Sequence, residues 1–329
     1  MPMRKLYIEP TTACNLNCTM CFRHQWFDEP IGSMRAQASA AVHQAVRHPA
    51  VETVFFGGMG EPLLHPSLPE WVKSAAQAGK FTELITNGTL LTPERAACLA
   101  DNGLNRIWLS MDGFSRAGYE SIRRGSMFDA IMRNLDGLNR LPNRPQLGLT
   151  FVMMRENLHE LASINRFADA VRADVLNLSH VLPGAPLPEP DALYHTGLPV
   201  GKQHRFAQSG TVPPGDRCPF IDEEACFIRW DGAVCPCMQL LHSSYTYLYE
   251  ERRRVTRHSF GNICDTPLQS IWETPEYTAF RQRVRDFAFP CCTICMGCED
   301  RKENQTDCMY NVAPTCGACL WARGWIRCP

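Results

Sequence analysis

The sequence predicts an α/β protein: a partial, open (β/α)6 TIM-like barrel followed by a small cysteine-rich domain. Three observations predict it. Up to residue 183, six short apolar runs alternate with helical stretches, the pattern of parallel strands joined by right-handed crossovers. Six units are too few for a closed eight-stranded barrel, so an open one is expected, with its chemistry at the carboxyl ends of the strands. Finally, 13 of the 17 cysteines lie between Cys218 and Cys328, which sets the last third of the chain apart.

The elements follow in order. LYIEPT (6–11) is the first strand; a cysteine-bearing loop and the alanine-rich helical stretch 36–46 come after it. VETVFFGG (51–58) reads as a buried strand before a helix over 68–79. FTELITNG (81–88) precedes a helix opened by Thr92, with Pro93 at its first position, where a missing N–H costs nothing. RIWLSMDG (106–113) leads into helical stretches reaching about Arg140. LGLTFVMM (147–154) precedes the helical stretch 157–171, and VLNLSHVLP (175–183) closes the series. Residues 184–216 are rich in proline and glycine and read as a connector folded over the barrel mouth. His195 and His204 lie in it and read as solvated loop residues. The expected division is therefore a core over 1–183, the connector, and a second domain over 217–329.

Composition excludes several function classes. A chain of 329 residues, 45% hydrophobic, can bury a substantial core, and its net charge of −1 gives no electrostatic case for nucleic acid or an anionic membrane. The opening MPMRKLYIEP lacks the apolar stretch of a signal peptide, and no run of apolar residues is long enough to span a bilayer. A cytoplasmic protein is expected, and in a reducing compartment 17 cysteines point to metal rather than disulfides.

Cys14, Cys18 and Cys21 sit in CNLNCTMC directly after the first strand. A [4Fe–4S] cluster takes four thiolates when it only carries electrons; three, with no further cysteine until Cys98, leave one iron open. A zinc knuckle or buried thiols is the plainer reading of that spacing alone. The other strand ends are unusual too. GGMGEP (57–62) follows the second strand, Thr86-Asn87-Gly88 ends the third, and the fourth carries Ser110 and Asp112. Glycines at 57, 58 and 60 permit close backbone approach. All should converge on one rim of the barrel. Cys98, inside a helix, reads as a buried apolar thiol.

The Cys-x3-Cys-x2-Cys spacing resembles the signature of the radical S-adenosylmethionine (SAM) superfamily, and GGMGEP and SMDG resemble that family's glycine-rich and SxDG motifs. The resemblance implies a [4Fe–4S] cluster on Cys14, Cys18 and Cys21 whose open iron chelates SAM. It further implies reductive cleavage of SAM and hydrogen abstraction by a 5′-deoxyadenosyl radical, with no catalytic residue assigned beyond the cluster. Gly57, Gly58 and Gly60 would lie against the methionine part of SAM. Glu61 would meet its ammonium or brace the loop, and Ser110 and Asp112 would meet the ribose hydroxyls. Arg123, rather than Arg124, would grip the carboxylate, and Asn87 would supply a polar contact, although asparagine before glycine is also a turn signal.

The last third resembles the SPASM domain of many radical SAM enzymes. Cys218, Gly232 and Cys237 give Cys-x13-Gly-x4-Cys, and FGNICDTPLQSIWETPEYTAFRQRV (260–284) resembles that domain's G-N-(I/L) strand and following helix. Two auxiliary [4Fe–4S] clusters are implied, one on Cys218, Cys226, Cys237 and Cys319, the other on Cys295, Cys298, Cys316 and Cys328. The long gap holding Cys308 leaves that second cluster's third ligand open between Cys308 and Cys316, and Cys235, Cys291 and Cys292 without a role. Trp321 and Trp325 would keep water from a cluster. The basic run over 250–258, beside SSYTYLY, mixes charges and aromatics as RNA-binding segments do, but a solvated hairpin between cluster ligands is the expectation.

Both ends of the chain, YIEPTTACNLNCTMCFRHQW and PTCGACLWARGWIRCP, resemble radical SAM/SPASM maturases associated with tungsten-dependent aldehyde oxidoreductases. This implies a maturase of a tungsten/pterin-dependent oxidoreductase, fed electrons by reduced ferredoxin or flavodoxin and acting on a protein, peptide or metallocofactor. Modification of a ribosomally made peptide (thioether crosslinking or oxidation to formylglycine) is the alternative. A non-enzymatic iron–sulfur carrier would need neither GGMGEP nor SMDG.

Overall fold

A computed structural model describes residues 2–186, 205–206, 217–293, 295, 297–324, 326 and 328. Six parallel strands run in sequence order: β1 (Lys5–Ile8), β2 (Thr53–Phe56), β3 (Phe81–Thr86), β4 (Arg106–Ser110), β5 (Gln146–Met153) and β6 (Val175–His180). Helices cross between them: α1 (Ala36–Ala45), α2 (Leu68–Gln77), α3 (Pro93–Asp101), α4 (Arg116–Ile122), α5 (Phe128–Asn139) and α6 (Ile164–Ala170). This is the expected α/β half-barrel. The Thr92 side chain accepts from Arg95 N, and Pro93 opens α3.

Among the described residues the sheet has nine strands, not six. Beyond β6 lies the short parallel strand β7 (Arg205–Phe206), drawn from the expected connector. Beyond β1 lies β8 (Ala225–Ile228), parallel to β1, and then the antiparallel β9 (Val234–Cys235). The cysteine-rich part therefore extends the barrel sheet through main-chain hydrogen bonds. The rest of the connector, with His195 and His204, lies outside the described residues, as does Trp325.

Alternation along the strands separates two apolar layers. Leu6, Ile8, Val54, Phe56, Leu84, Ile107 and Leu109 face the helices. Tyr7, Phe55, Trp108 and Phe227 face the barrel interior, with the Tyr7 ring stacked on Phe227 at 4.2 Å. Gly148 on β5 makes room for Trp108: a Cβ there would lie 2.3 Å from the indole. At the amino end of the barrel, Glu83 is buried and takes the Trp108 indole N–H at 3.0 Å and Arg106 at 2.8 Å.

The cysteine-rich part continues with α7 (Pro219–Asp222), the hairpin β10 (Ser244–Leu248) and β11 (Glu251–Val255), α8 (Leu268–Trp272) and α9 (Pro275–Arg285). The expected helices after G-N-I are present. The expected strand is reduced to a single bridge, Asn262 to Ala233, beside Gly232, whose φ of +87° suits glycine. The basic run forms β11. Arg252 and Arg254 are exposed, over the rings of Tyr245 and Phe27, while Arg253 is buried and donates to the carbonyls of Arg301 and Glu303. Cys98 corrects an expectation: it lies on the outer side of α3 and is exposed, because α3 buries Ala96, Leu99 and Ala100 instead.

Candidate SAM and iron–sulfur site

A cavity of about 310 Å³ opens at the carboxyl ends of the strands. Its wall includes Cys14, Cys18 and Cys21 from the loop after β1, Gly58, Met59, Gly60 and Glu61 after β2, Asn87 after β3, Ser110 at the end of β4 and Arg123 beyond it. Sequence-distant residues meet here because each leaves the same edge of one parallel sheet.

The cysteine loop is held by backbone and side-chain bonds. Arg23 donates to the carbonyls of Thr12 (3.0 Å) and Leu16 (3.2 Å), with its Nε 3.4 Å from the Cys21 Sγ. Asn87 donates to Asn15 Oδ1 at 3.0 Å and lies 3.8 Å from the Cys14 Sγ. Burial raises the Cys18 pKa, an effect the Arg123 guanidinium opposes.

The glycine turn is packed against that loop. Glu61 N donates to the Ala13 carbonyl at 2.8 Å, and a Cβ on Gly60 would stand 2.2 Å from the Thr11 carbonyl oxygen. Glu61 braces this arrangement: its carboxylate accepts from Leu63 N, Thr86 Oγ1 and Asn87 N at 2.7–3.1 Å. Burial pushes its pKa up, against those hydrogen bonds. Gly57 packs against Ile85 and Phe55 and does not line the cavity.

Asp112 is placed differently from Ser110. It is fully buried and does not line the cavity; one carboxylate oxygen accepts from Val152 N at 2.8 Å and the other pairs with Arg123 at 2.6 Å. Its position in the chain explains this, since it lies two residues past the end of β4, where the chain turns towards β5. Arg123 caps α4, lines the cavity and is buried against Asp112, with its Nε enclosed and lacking a hydrogen-bond partner, whereas Arg124 is exposed.

Sequence reasoning missed the polar wall opposite. Thr150, Asn177 and Ser179 project from β5 and β6 into the cavity, and the buried Asn177 Oδ1 has no partner. The signal was the strand period itself, polar residues at 177 and 179 within an apolar run. Arg23 carried no comparable signal.

The cysteines of the last third group in a way that differs from the expected pairing. The thiols of Cys218, Cys237, Cys316 and Cys319 lie near enough for their charges to act on one another. Cys226 is not among them. It projects from β8 into the helix-side core beside Tyr277 and Arg281, and burial pushes its pKa up to about 12. Residue parity on β8 sets this, with Ala225 and Phe227 facing the other layer. Backbone N–H groups of Phe220 and Ile221 point to Cys218, and those of Trp321 and Ala322 to Cys319. The buried Arg253 faces Cys316 and Cys319.

A second grouping brings Cys292, expected to have no role, towards Cys298 and Cys308. Cys295 is exposed nearby in sequence, and Arg323 donates to the Cys291 Sγ at 2.8 Å. Cys328 departs from its expected set: it lines the main cavity, where Trp321 Nε1 donates to its Sγ at 3.3 Å, and burial pushes its pKa up to about 11.

These residues fit iron–sulfur clusters and SAM. Among the described residues no three His, Cys, Asp or Glu side chains converge as on a single ion; a cubane cluster spreads its ligand sulfurs more widely. The cysteines form no disulfides, and buried thiols of raised pKa gain from a metal that binds the thiolate. In the cavity wall, the Arg123 guanidinium suits a carboxylate, and Ser110, Asn177 and Ser179 suit polar groups.

Comparison with known proteins agrees with this geometry. Residues 8–168 match the radical SAM superfamily, and residues 218–299 match the SPASM iron-sulfur cluster-binding domain. The tungsten-containing aldehyde ferredoxin oxidoreductase cofactor-modifying protein of Pyrococcus furiosus is 30% identical, over 99% of this chain and 97% of its own. A PqqA peptide cyclase of Bradyrhizobium diazoefficiens is 33% identical over 66% of this chain and 53% of its own. Among solved structures, native anSMEcpe with bound AdoMet superposes with a TM-score of 0.63 at 18% identity, covering 98% of this chain and 96% of that one.

Proposed function

We propose that this chain, which belongs to the radical SAM superfamily and carries its SPASM extension, matures a tungsten/pterin-dependent oxidoreductase. It is a radical SAM enzyme that uses [4Fe–4S] clusters and S-adenosylmethionine. The observation that supports the maturase role is the near end-to-end similarity to the Pyrococcus furiosus cofactor-modifying protein, through both the barrel and the cysteine-rich part.

Cys14, Cys18 and Cys21 hold the first cluster in this reading. Bound there, the cluster would supply the electron for reductive cleavage of SAM and so for hydrogen abstraction from the substrate. The chain's own residues do the positioning. Arg123, charged by nature and fixed by Asp112, sets a guanidinium in the cavity wall for the SAM carboxylate. Gly58 and Gly60 let the turn after β2 pack on Glu9 and on the cysteine loop, which sets its backbone beside the methionine part, and Glu61 braces that turn by accepting three hydrogen bonds. Ser110 offers a hydroxyl to the ribose, and Asn87 ties the third strand end to the cysteine loop. Tyr7, Phe55, Trp321 and Ile326 line the cavity with apolar surface that excludes water from a reactive intermediate.

Cys218, Cys237, Cys316 and Cys319 hold one auxiliary cluster, and Cys292, Cys298 and Cys308 contribute to another. The core, connector and cysteine-rich domain divide at about residues 183 and 217, and the electron donor is reduced ferredoxin or flavodoxin in a reducing, cytoplasmic compartment. Among the described residues, no helix is long and apolar enough to cross a membrane.

Peptide modification is the second reading, favoured by the similarity to the PqqA peptide cyclase. Anaerobic turnover with SAM and dithionite separates the two. A maturase forms 5′-deoxyadenosine faster when given the unmatured tungsten oxidoreductase or its pterin cofactor, with a mass change in that cofactor. Stimulation by a candidate precursor peptide alone, with hydrogen lost from the peptide, would replace the maturase reading.

A further inference from the structure

A buried charge cluster lies behind the glycine turn and joins the two parts of the chain. Glu9 extends from the end of β1, and Glu29 from the segment after the cysteine loop. Arg229 follows β8, and His242 precedes β10. All four side chains are almost completely buried. His242 Nε2 lies 3.0 Å from both carboxylate oxygens of Glu9, and its Nδ1 lies 3.1 Å from Glu29 Oε2. Ionised carboxylates only accept hydrogen bonds, so opposite two of them both ring nitrogens are placed to donate, the arrangement an imidazolium satisfies. The indole of Trp26 stacks on it at 4.2 Å.

Both carboxylates have second duties. Glu9 Oε1 accepts from Met59 N at 3.0 Å, in the middle of GGMGEP, and Gly58 packs on the same side chain so closely that a Cβ would stand 2.5 Å from Glu9 Cγ. Glu29 accepts from Ser243 N at 2.8 Å and pairs with Arg229 at 3.0 Å, while Arg257 approaches at 3.4 Å and Asp231 faces Arg229 at 3.6 Å. The Met238–Leu240 turn just before His242 brings Met238 into the cavity wall.

We propose that His242 is a positioning residue for the SAM-binding turn: held between Glu9 and Glu29, it fixes the Glu9 carboxylate that clamps the Met59 amide, so that the cysteine-rich domain sets the geometry in which the barrel binds SAM. The proposal rests on the SAM site described above. A carboxylate freed from His242 would be buried beside Gly58 without its counter-charge. It would then shift or take up a proton, and the turn would follow. The barrel motif is therefore incomplete without a residue far away in the chain, on the other side of the connector.

Three variants of the full-length, anaerobically reconstituted protein test this: His242→Gln, Glu9→Asp, and the double variant. Glu9→Asp keeps the charge opposite His242 but is too short by one methylene to hold Met59 N as well, which keeps the test open should His242→Gln fold poorly. Each single variant should retain iron near the wild-type content yet bind SAM about tenfold more weakly, the loss of one buried charge-assisted hydrogen bond. The change that SAM induces in the electron paramagnetic resonance spectrum of the reduced cluster should shrink at matched SAM. The double variant should lose no more than either single one, because both act through the same contact. SAM affinity within twofold of wild type in Glu9→Asp, or losses that add in the double variant, would overturn the proposal. A wild-type protein that bound no SAM at all would instead remove the SAM-site reading on which it rests.

Discussion

Arg123→Lys separates two duties that the native side chain combines. Arg123 and Asp112 form a buried ion pair at 2.6 Å, so truncating the arginine would leave a carboxylate uncompensated, at about 3–5 kcal/mol for such pairs. Alanine would therefore confound folding with binding. Lysine keeps the charge opposite Asp112 but lacks the planar fork with which Arg123, in the cavity wall, could hold Asp112 and a second carboxylate together. A hydrogen bond to a charged partner contributes about 1.5–3 kcal/mol. At about 1.4 kcal/mol per tenfold, its loss should raise the SAM dissociation constant roughly 10- to 150-fold. Equilibrium dialysis of labelled SAM against anaerobically reconstituted protein reads the constant, and iron content reports the clusters in the same sample. Unchanged affinity in Arg123→Lys, with full iron, would refute the assignment of the SAM carboxylate to this side chain.

Other residues give sharp expectations. Cys316→Ala should cost about four irons, whereas Cys226→Ala should cost none, since Cys316 lies among Cys218, Cys237 and Cys319 and Cys226 beside Tyr277 and Arg281; loss of about four irons from Cys226→Ala in an iron assay would restore the pairing expected from the SPASM resemblance. Gly60→Ala should abolish SAM binding while leaving the clusters loaded, because a Cβ would meet the Thr11 and Ala13 carbonyl oxygens at 2.2 and 2.6 Å, and both are main-chain atoms; a normal dissociation constant would contradict the tight packing of the turn. The His242 network also predicts a pH dependence of stability. Burial lowers the His242 pKa, but the Glu9 charge and the bonds to Glu29 and Glu9 outweigh it, so the folded value is raised above 6.5. Glu29 is lowered below 4.5: burial opposes this, and His242, Ser243 N and Arg229 outweigh it. His242 thus contributes fully below 6.5 and loses its effect as pH rises through the raised value, while Glu29 contributes above 4.5 and loses it as pH falls through the lowered one. The stability difference between wild type and His242→Gln should be largest between about pH 4.5 and 6.5 and shrink above it; a difference that grew with rising pH would contradict the ion-paired histidine.

Much of the barrel was legible because its signals are local. Apolar runs of strand length, Pro93 after Thr92, and glycines at strand ends each report a backbone requirement within a few residues. The topology of a parallel sheet then brings the strand ends together, so Cys14, Gly60, Asn87, Ser110 and Arg123 group from the sequence alone. What was not legible depends on which way a side chain faces. Asp112 and Ser110 are two residues apart in one motif, but one lies on the strand and the other past its end, so only Ser110 reaches the cavity. The placement of Cys226 was hidden for the same reason, since parity on β8 turns it to the helix-side core beside Tyr277 and Arg281. That β8 would join β1 was equally hidden. ACFI reads as any short apolar strand, and its partner lies more than 200 residues away. The Glu9–His242–Glu29 network combines both difficulties, with residues unremarkable one by one and remote in the chain.

The central claim is that three thiols after β1 and a cavity at the strand ends make this a radical enzyme acting through SAM. Anaerobic formation of 5′-deoxyadenosine from SAM and dithionite tests it most directly, comparing reconstituted protein with the Cys14→Ala/Cys18→Ala/Cys21→Ala variant. The account predicts product from the native protein and none from the variant, which should still hold about eight irons on the auxiliary clusters. Equal product from both, or native protein that neither binds nor cleaves SAM, would contradict it.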